Sequence, residues 1–373
     1  MSNNNGNTKL DNFIRQYVDW IIKYRWLVVI GSVLLTILIT TGARFLWFDT
    51  DYRTYFSDEN PQLQLFEEIQ NVYTKNDNIM FVVATEDEDL FEQETMDVIE
   101  KITIESWQIP FSIRVDAVTN FQHTRADEDD LIVEDLVEDA LQRSSEELKD
   151  AKIIALSEPF LIKQLISENA KVTGVNVTLQ FPGETITEVP QAVGYARNLA
   201  KQIQEEHPDI KIYITGVAML NNAFSEASMN DMQSLIPLMY LAMILIMFFS
   251  LRSVSGTIAT IVIITFSTLV AMGLAGWFGT GITPPSAQAP TIIMTLAIAD
   301  SIHILVTLLR ELRAGRTKFE AIKESVRVNF QPVLLTSIST IIGFLTMNFS
   351  DVPPFNHLGN ITSVGVAAAF FFS

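Results

Sequence analysis

Residues 291–309 read TIIMTLAIADSIHILVTLL, and this stretch decides the fold class of the chain. Asp300 is the one charged side chain in the run, which is otherwise apolar or uncharged. An α-helix needs about 20 such residues to cross the hydrocarbon core of a bilayer. The stretch therefore predicts a membrane-spanning helix with an acid near the middle of the membrane.

An acid at that depth needs a structural or functional reason. A central Asp costs roughly 2.5–3.5 kcal/mol on insertion scales, and intramembrane acids commonly mark proton relays. His303 and Thr307 follow Asp300 at i+3 and i+7, so the three share one face of the helix. We expect Asp300 and His303 to form a proton relay, with Thr307 as a further member. The alternative is that Asp300 only locks helix packing and that His303 only hydrogen-bonds to it.

A second polar stripe lies in the uncharged gap between Arg327 and Asp351. Small and hydroxyl side chains at this spacing allow close helix approach and offer hydrogen bonds across an interface. The stripe either extends the relay or serves packing alone. Its members are Thr336, Ser339, Thr340 and Gly343.

The rest of the chain repeats the apolar pattern. Hydrophobic residues make up 48% of the 373 positions and charged residues 18%, which is too apolar for an ordinary soluble protein. A sixth apolar run is still unbroken at Ser373, so we expect a truncated last span and an N-terminal part of a longer protein. The predicted segments are an N-terminus (1–25), TM1 (26–48), an outside domain (49–231), TM2 (232–251), TM3 (254–278), TM4 (289–309), a loop (310–329), TM5 (330–350) and TM6 (358–373).

Charge predicts the orientation. Eleven Lys and Arg lie in the N-terminus and in the loops after TM2 and TM4, which places these parts in the cytoplasm. Between Phe48 and Gln233 there are 37 Asp and Glu against 13 Lys and Arg, so the large outside domain is strongly acidic.

Charge and composition also exclude some functions. The net charge of −19 excludes a nucleic-acid binder that works by phosphate neutralisation. The absence of cysteine excludes disulfides, thiolate nucleophiles and Cys-based metal sites.

The outside domain has a mixed pattern. Strands are predicted at 79–84, 175–181 and 210–214, and helices at 87–105, 127–165 and 188–206. This order predicts a small α+β domain with helices on one face of a sheet. The acidic runs 86–89 and 127–130 lack the glycine and ligand spacing of a calcium loop, so a solvated surface is the simpler interpretation.

An enzyme is not expected. An intramembrane aspartyl protease needs two cooperating carboxylates, and Asp300 is the one acid within the spans. The sequence also lacks a His-Glu-x-x-His metal motif and a Gly-x-Ser-x-Gly nucleophile elbow. We therefore predict no catalytic residues and no metal site.

Taken together, the order of segments resembles the resistance-nodulation-division (RND) superfamily, in its MMPL and hydrophobe/amphiphile exporter branch, whose membrane fold is shared with sterol-sensing-domain proteins. The motifs that carry the resemblance lie at the exit of TM1, the entry to TM2, TM4, TM5 and the loop after TM5. They are Phe48-Asp49-Thr50-Asp51 with Tyr55-Phe56 and Glu59-Asn60-Pro61, Thr215-Gly216 with Asn221 and Asp231, Ala299-Asp300-Ser301-Ile302-His303, Thr336 to Phe344, and Asp351-Val352-Pro353-Pro354.

The resemblance implies a polytopic α-helical membrane protein with an inserted α+β porter-like domain on the outside. It implies a secondary transporter in the cytoplasmic membrane of a prokaryote that exports hydrophobic or amphiphilic molecules or lipids. The proton gradient would be the energy source, with no cofactor, and Asp300 the proton carrier. Relatives usually complete the relay from a second half, so a second half or a homo-oligomer is the expected partner. Leu296 departs from the glycine that many relatives have four residues before the acid.

A second interpretation keeps the fold and changes the function. In it the chain is a lipid-binding or sterol-sensing-like receptor or an assembly factor, and Asp300 is structural. Proton coupling distinguishes the two interpretations.

Overall fold

The structure is a computed structural model that describes residues 4–49, 51–73, 77–85, 89–127 and 130–373, without the side chains of 4–11, 13, 127 and 232. Thr50 and parts of both acidic runs, residues 86–88 and 128–129, lie outside the described residues. The chain divides into two compact units. One comprises Met1–Leu63 with Ser225–Ser373, and the other comprises Gln64–Phe224.

The helices and strands of both units follow in chain order. The helices are α1 (Asn4–Lys23), α2 (Arg25–Thr40), α3 (Pro61–Val72), α4 (Gln93–Ser106), α5 (Ser145–Ser157), α6 (Glu188–Glu206), α7 (Val217–Gln233), α8 (Leu235–Leu251), α9 (Val254–Trp277), α10 (Ala289–Arg313), α11 (Lys318–Leu345) and α12 (Pro353–Phe372). The strands are β1 (Asn78–Ala84), β2 (Ser112–Asp116), β3 (Gln122–Asp127), β4 (Asp130–Asp135), β5 (Val172–Leu179) and β6 (Lys211–Thr215).

Among the described residues, five helical stretches are long and apolar enough to cross a membrane. This number agrees with a multi-pass membrane protein. Helix α12 is 20 residues long but is not one of the five, because its first half carries Asn356, His357 and Asn360. The five stretches are Arg25–Phe45, Val217–Leu251, Val254–Trp277, Ser286–Arg313 and Lys318–Phe349.

Close glycine contacts join α9 to the short 3-10 turn Thr41–Phe45 that extends α2. An added Cβ at Gly276 would lie 2.0 Å from the carbonyl oxygen of Gly42, and one at Gly42 would lie 2.1 Å from the carbonyl oxygen of Gly273. These neighbours are backbone atoms, which cannot rotate away. The approach of the two segments therefore requires glycine at these positions.

Helix α10 packs against α9, α11 and α12. Its residues Met294, Ala297 and Ile298 form an apolar cluster with Ile264 of α9 and Ala369 of α12. Burial on several sides explains why α10 reads as almost continuously apolar in the sequence. The same packing surrounds the acid in its centre.

The start of α11 differs from the expected loop 310–329. Thr317 and Glu320 form a capping box, in which Thr317 Oγ1 accepts from the Glu320 backbone N–H at 3.4 Å and Glu320 Oε2 accepts from the Thr317 backbone N–H at 3.1 Å. Such reciprocal bonds start a helix. Helix α11 therefore begins at Lys318, well before residue 330, and continues through the charged segment into the apolar one.

The unit Gln64–Phe224 contains a four-stranded sheet in the order β2-β5-β1-β6, with antiparallel pairing throughout. Alternate residues of β1 and β5 are fully buried and form the core beneath α4 and α6, which contact each other and the sheet. These strands and α6 lie where alternation and helical periodicity predict them. The buried strand residues are Ile79, Phe81, Val83, Val175, Val177 and Leu179.

The prediction of one acidic helix over 127–165 is wrong for most of its length. Residues 122–127 and 130–135 pair as the antiparallel ribbon of β3 and β4. The helical part begins only at Ser145, because Ser144 caps it together with Glu147. The described side chains of both faces of the ribbon are exposed or half-buried, so its alternation of apolar and polar residues is weak and resembles a helical acidic run.

Candidate functional site

Helix α10 buries Asp300 within the unit that comprises Met1–Leu63 and Ser225–Ser373. The residue is only 6% exposed, and the neighbouring turn contributes Ala297 and Ile298 to the apolar cluster described above. An acid in such surroundings loses most of its hydration, which is costly unless polar partners replace the water. The partners of Asp300 therefore decide what the site can do.

Ser337 of α11 is the hydrogen-bond partner of Asp300. Its Oγ donates to Asp300 Oδ2 at 3.3 Å, and Ser337 itself is 3% exposed. Within the described part of the chain, Asp300 forms no ion pair with Lys or Arg. In the part of the chain that the structure describes, the carboxyl thus has one long hydrogen bond and no Lys or Arg beside it.

His303 and Thr307 lie farther along the same face, but they differ in surroundings. His303 is exposed at the surface of the helix bundle and is near enough to Asp300 for an electrostatic interaction. Thr307 is buried, and its hydroxyl donates to the His303 carbonyl at 3.2 Å. The structure therefore brings His303 towards the acid and uses the Thr307 hydroxyl within α10.

The four stripe residues of α11 do not meet Asp300. Thr336 donates to the Pro332 carbonyl at 2.9 Å and Ser339 to the Thr336 carbonyl at 2.9 Å, and both residues are exposed. Thr340 is half-buried and Gly343 is exposed. The Thr336 and Ser339 hydroxyls are thus used within α11.

The face of α11 that meets α10 repeats every four residues. Its buried members are Ala321, Ser325, Asn329, Val333 and Ser337. Ser325 Oγ donates to the Ile304 carbonyl of α10 at 2.5 Å, and Asn329 Nδ2 donates to the Ser325 carbonyl at 2.8 Å. A polar ladder thus continues from Ser337 towards the basic end of α11.

Sequence reasoning missed this ladder. The sequence signal was an i, i+4 repeat of small or polar residues that begins in the charged segment, at Ala321. TM5 was predicted to start at residue 330, so the first three members of the repeat, Ala321, Ser325 and Asn329, lie outside the predicted span.

Ser301 adds an unsatisfied group beside the acid. Its Oγ is buried and has no hydrogen-bond partner among the described residues. The described residues also contain no group of three His, Asp or Glu that could hold a metal ion. The groups that the site offers are therefore one buried carboxyl and the hydroxyls of Ser301 and Ser337.

Comparison with known proteins places these helices in a family. The model of the MMPL family matches residues 59–373. No curated protein matches the chain by sequence. The X-ray structure of a heavy metal efflux pump is similar, with 13% sequence identity and a TM-score of 0.48, over 95% of this chain and 46% of that chain.

The heavy metal efflux pump is a distant likeness, and the chain spans less than half of its length. The family match covers most of the chain, including α10, α11 and the Asp300–Ser337 contact. The chain therefore belongs to the MMPL family.

Proposed function

We propose that the chain acts in an RND-type secondary transporter that exports hydrophobic or amphiphilic molecules or lipids and is driven by proton entry. Asp300 is the proton carrier. The observation that carries the proposal is this buried acid in the middle of a membrane-spanning helix, whose hydrogen-bond partner among the described residues is Ser337. Family membership supports a transporter, and the buried acid supports proton entry as its energy source.

The surroundings of Asp300 suit a group that changes its protonation state. A serine hydroxyl can donate to a carboxylate and can accept from a protonated carboxyl. Ser337 therefore satisfies one oxygen in either state. A permanently charged acid would need a cation or several donors to offset its burial, and the described residues supply neither.

His303 is the second proposed relay member. It lies on an exposed part of α10, where a neighbouring segment can reach it. A second transporter half or a second copy of the chain supplies the remaining partners in this proposal. Protons would enter from the outside and leave at the basic, cytoplasmic end of the bundle in the inner membrane of a prokaryote.

The acidic unit Gln64–Phe224 is the proposed porter domain, which receives substrate and passes it on. Its sheet and covering helices give it a core of its own, as a domain that moves as a unit requires. Apolar and adaptable pockets accept many ligands, so we infer a substrate class and not a single compound.

The second candidate function is a lipid-binding or sterol-sensing-like receptor. The observation that favours it is the same hydrogen bond, because Ser337 and Asp300 tie α11 to α10. In that case Asp300 is a packing residue and no proton moves.

Export assays on the full-length protein separate the two functions. Asp300→Asn keeps the size and one acceptor oxygen of the side chain but cannot cycle a proton, so we expect export of a fluorescent amphiphilic dye to stop. Asp209→Asn is the matched control, because Asp209 is an exposed acid in the other unit. Normal export by Asp300→Asn at wild-type protein levels would show that the carrier assignment is wrong.

A further inference from the structure

A second feature of the unit Met1–Leu63 with Ser225–Ser373 is a cavity of about 850 Å³ near its basic end. Its walls come from α1, α2, α9, α10, α11 and the last turn of α12, and include Val18, Leu35, Phe266, Val326 and Phe370. Ligand sites commonly enclose roughly 300–1,000 Å³. The cavity is therefore large enough for a substantial ligand.

The wall chemistry selects an apolar ligand. Most lining side chains are aliphatic or aromatic, and the polar ones, such as Ser32 and Asn329, are few. Asn329 already uses its amide nitrogen within α11. A polar metabolite would leave its own groups without partners there, whereas a hydrocarbon chain would not.

Helix α1 closes the cavity at its basic end and lies on it as an amphipathic helix. Ile14 and Val18 are buried on its inner side, and Asp19 forms an ion pair with Lys323 of α11. Tyr17 and Trp20 line the cavity and are exposed. Helices of this kind lie in the plane of the headgroups, where aromatic side chains anchor them.

Cations stand at the junction of α1 and α2, next to the cavity wall. Lys23 and Arg25 are exposed, and they follow the lining residue Ile22 and precede Leu27. The described part of the chain contains no acid within ion-pair distance of either residue. Basic residues near a membrane surface attract anionic lipids by about 1 kcal/mol each.

We propose that this cavity binds an acyl chain of an anionic phospholipid from the leaflet at the basic end of the bundle, with the headgroup on Lys23 and Arg25. The apolar wall holds the chain and the two cations select the charge. Neither Asp300 nor Ser337 lines the cavity, and its occupation does not depend on whether the protein moves protons.

A bulky side chain that fills the cavity tests whether the cavity binds the acyl chain. Gly31 lines the cavity, and an added Cβ there meets nothing within 4 Å, so Gly31→Phe places a ring in the cavity without a backbone clash. Ala242→Phe, on an exposed position of α8 outside the cavity, is the matched control. The probe is full-length protein released from nanodiscs of phosphatidylcholine and phosphatidylglycerol (3:1) and weighed by native mass spectrometry.

Wild type and Ala242→Phe should retain one phosphatidylglycerol, and Gly31→Phe should lose it at least fivefold. Equal retention by all three proteins, or no retained lipid in the wild type, would overturn the proposal. Gly31→Leu is a smaller filler that gives the same comparison if the phenylalanine variant does not fold.

Neutralising the two cations at the junction of α1 and α2 tests whether they bind the lipid headgroup. In Lys23→Gln/Arg25→Gln, lipid should still be retained, but the preference for phosphatidylglycerol over phosphatidylcholine should fall several-fold. Lys149→Gln/Lys201→Gln, which changes two exposed lysines of the other unit, should keep the preference. An unchanged preference in the first variant would contradict an anionic headgroup at these cations.

Discussion

At the scale of single residues, the Ser337 hydroxyl is what distinguishes Asp300 from an acid isolated in hydrocarbon. It is buried on α11 and donates to the carboxyl across the helix interface. Three other hydroxyls of the same helix segment, on Thr336, Ser339 and Thr340, do not meet the acid. The role of a hydroxyl here depends on the face of α11 that carries it.

Removal of this hydroxyl should weaken the site. Ser337→Ala leaves a buried carboxyl oxygen without its donor, which costs about 1–3 kcal/mol. We expect a several-fold lower transport rate and a lower melting temperature of the purified full-length protein. Ser339→Ala removes an exposed hydroxyl of the same helix and should change neither. Equal activity of the two variants would show that the Asp300–Ser337 contact is not used.

Asp300 can be predicted as a site residue from the sequence, whereas Ser337 cannot, and the difference has a physical reason. A charge in an apolar run is visible without knowledge of neighbours, because the membrane makes it costly. The face that a serine occupies depends on where its helix begins and on what packs against it. Helix α11 begins at a capping box outside the apolar run, so hydropathy alone does not show which of its faces is buried.

At the scale of elements, the contact between α9 and the turn after α2 depends on glycine. Gly276→Ala brings a methyl group to within 2.0 Å of the Gly42 carbonyl oxygen, so the two segments must separate. Overpacking of this kind costs about 1–3 kcal/mol or more. We expect a clear fall in the thermal stability of the detergent-purified protein.

Gly31→Ala is the control for this prediction, since its Cβ meets nothing within 4 Å. Alanine also favours a helix more than glycine does, so its stability should equal or exceed that of wild type. If Gly276→Ala is as stable as Gly31→Ala, the close approach of the two segments is wrong.

The start of α6 gives a pH-dependent prediction. Burial alone raises the pKa of the Glu188 carboxyl, but backbone N–H groups of Thr185, Gly183 and Glu184 donate to it at 2.8–2.9 Å and hold the pKa below its ordinary value. A depressed folded-state pKa stabilises the fold above the ordinary value, and the contribution is lost as the pH falls through the folded-state pKa.

Glu188→Gln should therefore destabilise the protein at pH 7 and have a smaller effect at an acidic pH below the folded-state pKa of the carboxyl. Thermal unfolding of both proteins at the two pH values measures the difference. Glu184→Gln, beside it on an exposed side chain, is the control. A destabilisation that is the same at both pH values would exclude the charge of Glu188 as its cause.

Elements differed in how well the sequence predicted them. Helix α6 spans Glu188–Glu206, as its periodicity and the following Pro208 predict. The ribbon of β3 and β4 was not predicted, because Leu131 and Val133 are exposed and its strands lack a buried face. Alternation shows a strand only where one face packs on a core.

At the scale of the whole molecule, hydropathy and charge predict a membrane protein with one large acidic part, and the five apolar helical stretches and the family match agree with a membrane protein. Spanning segments can be predicted from hydropathy because each of them must satisfy its backbone hydrogen bonds within the protein, in an apolar medium. The partners of the relay are not readable in this way. His303 is exposed, and the proposed function takes its partners from a second half or a second copy.

Proton flux tests the central proposal most directly. Full-length wild type and Asp300→Asn are reconstituted in proteoliposomes, and a pH-sensitive dye reports internal pH after a pH jump, with and without an amphiphilic substrate. We expect substrate-stimulated proton flux in the wild type and none in Asp300→Asn at equal incorporation. Flux that persists in Asp300→Asn, or the absence of flux in both proteins, would contradict a proton carrier at Asp300, and absence in both would favour the lipid-binding receptor.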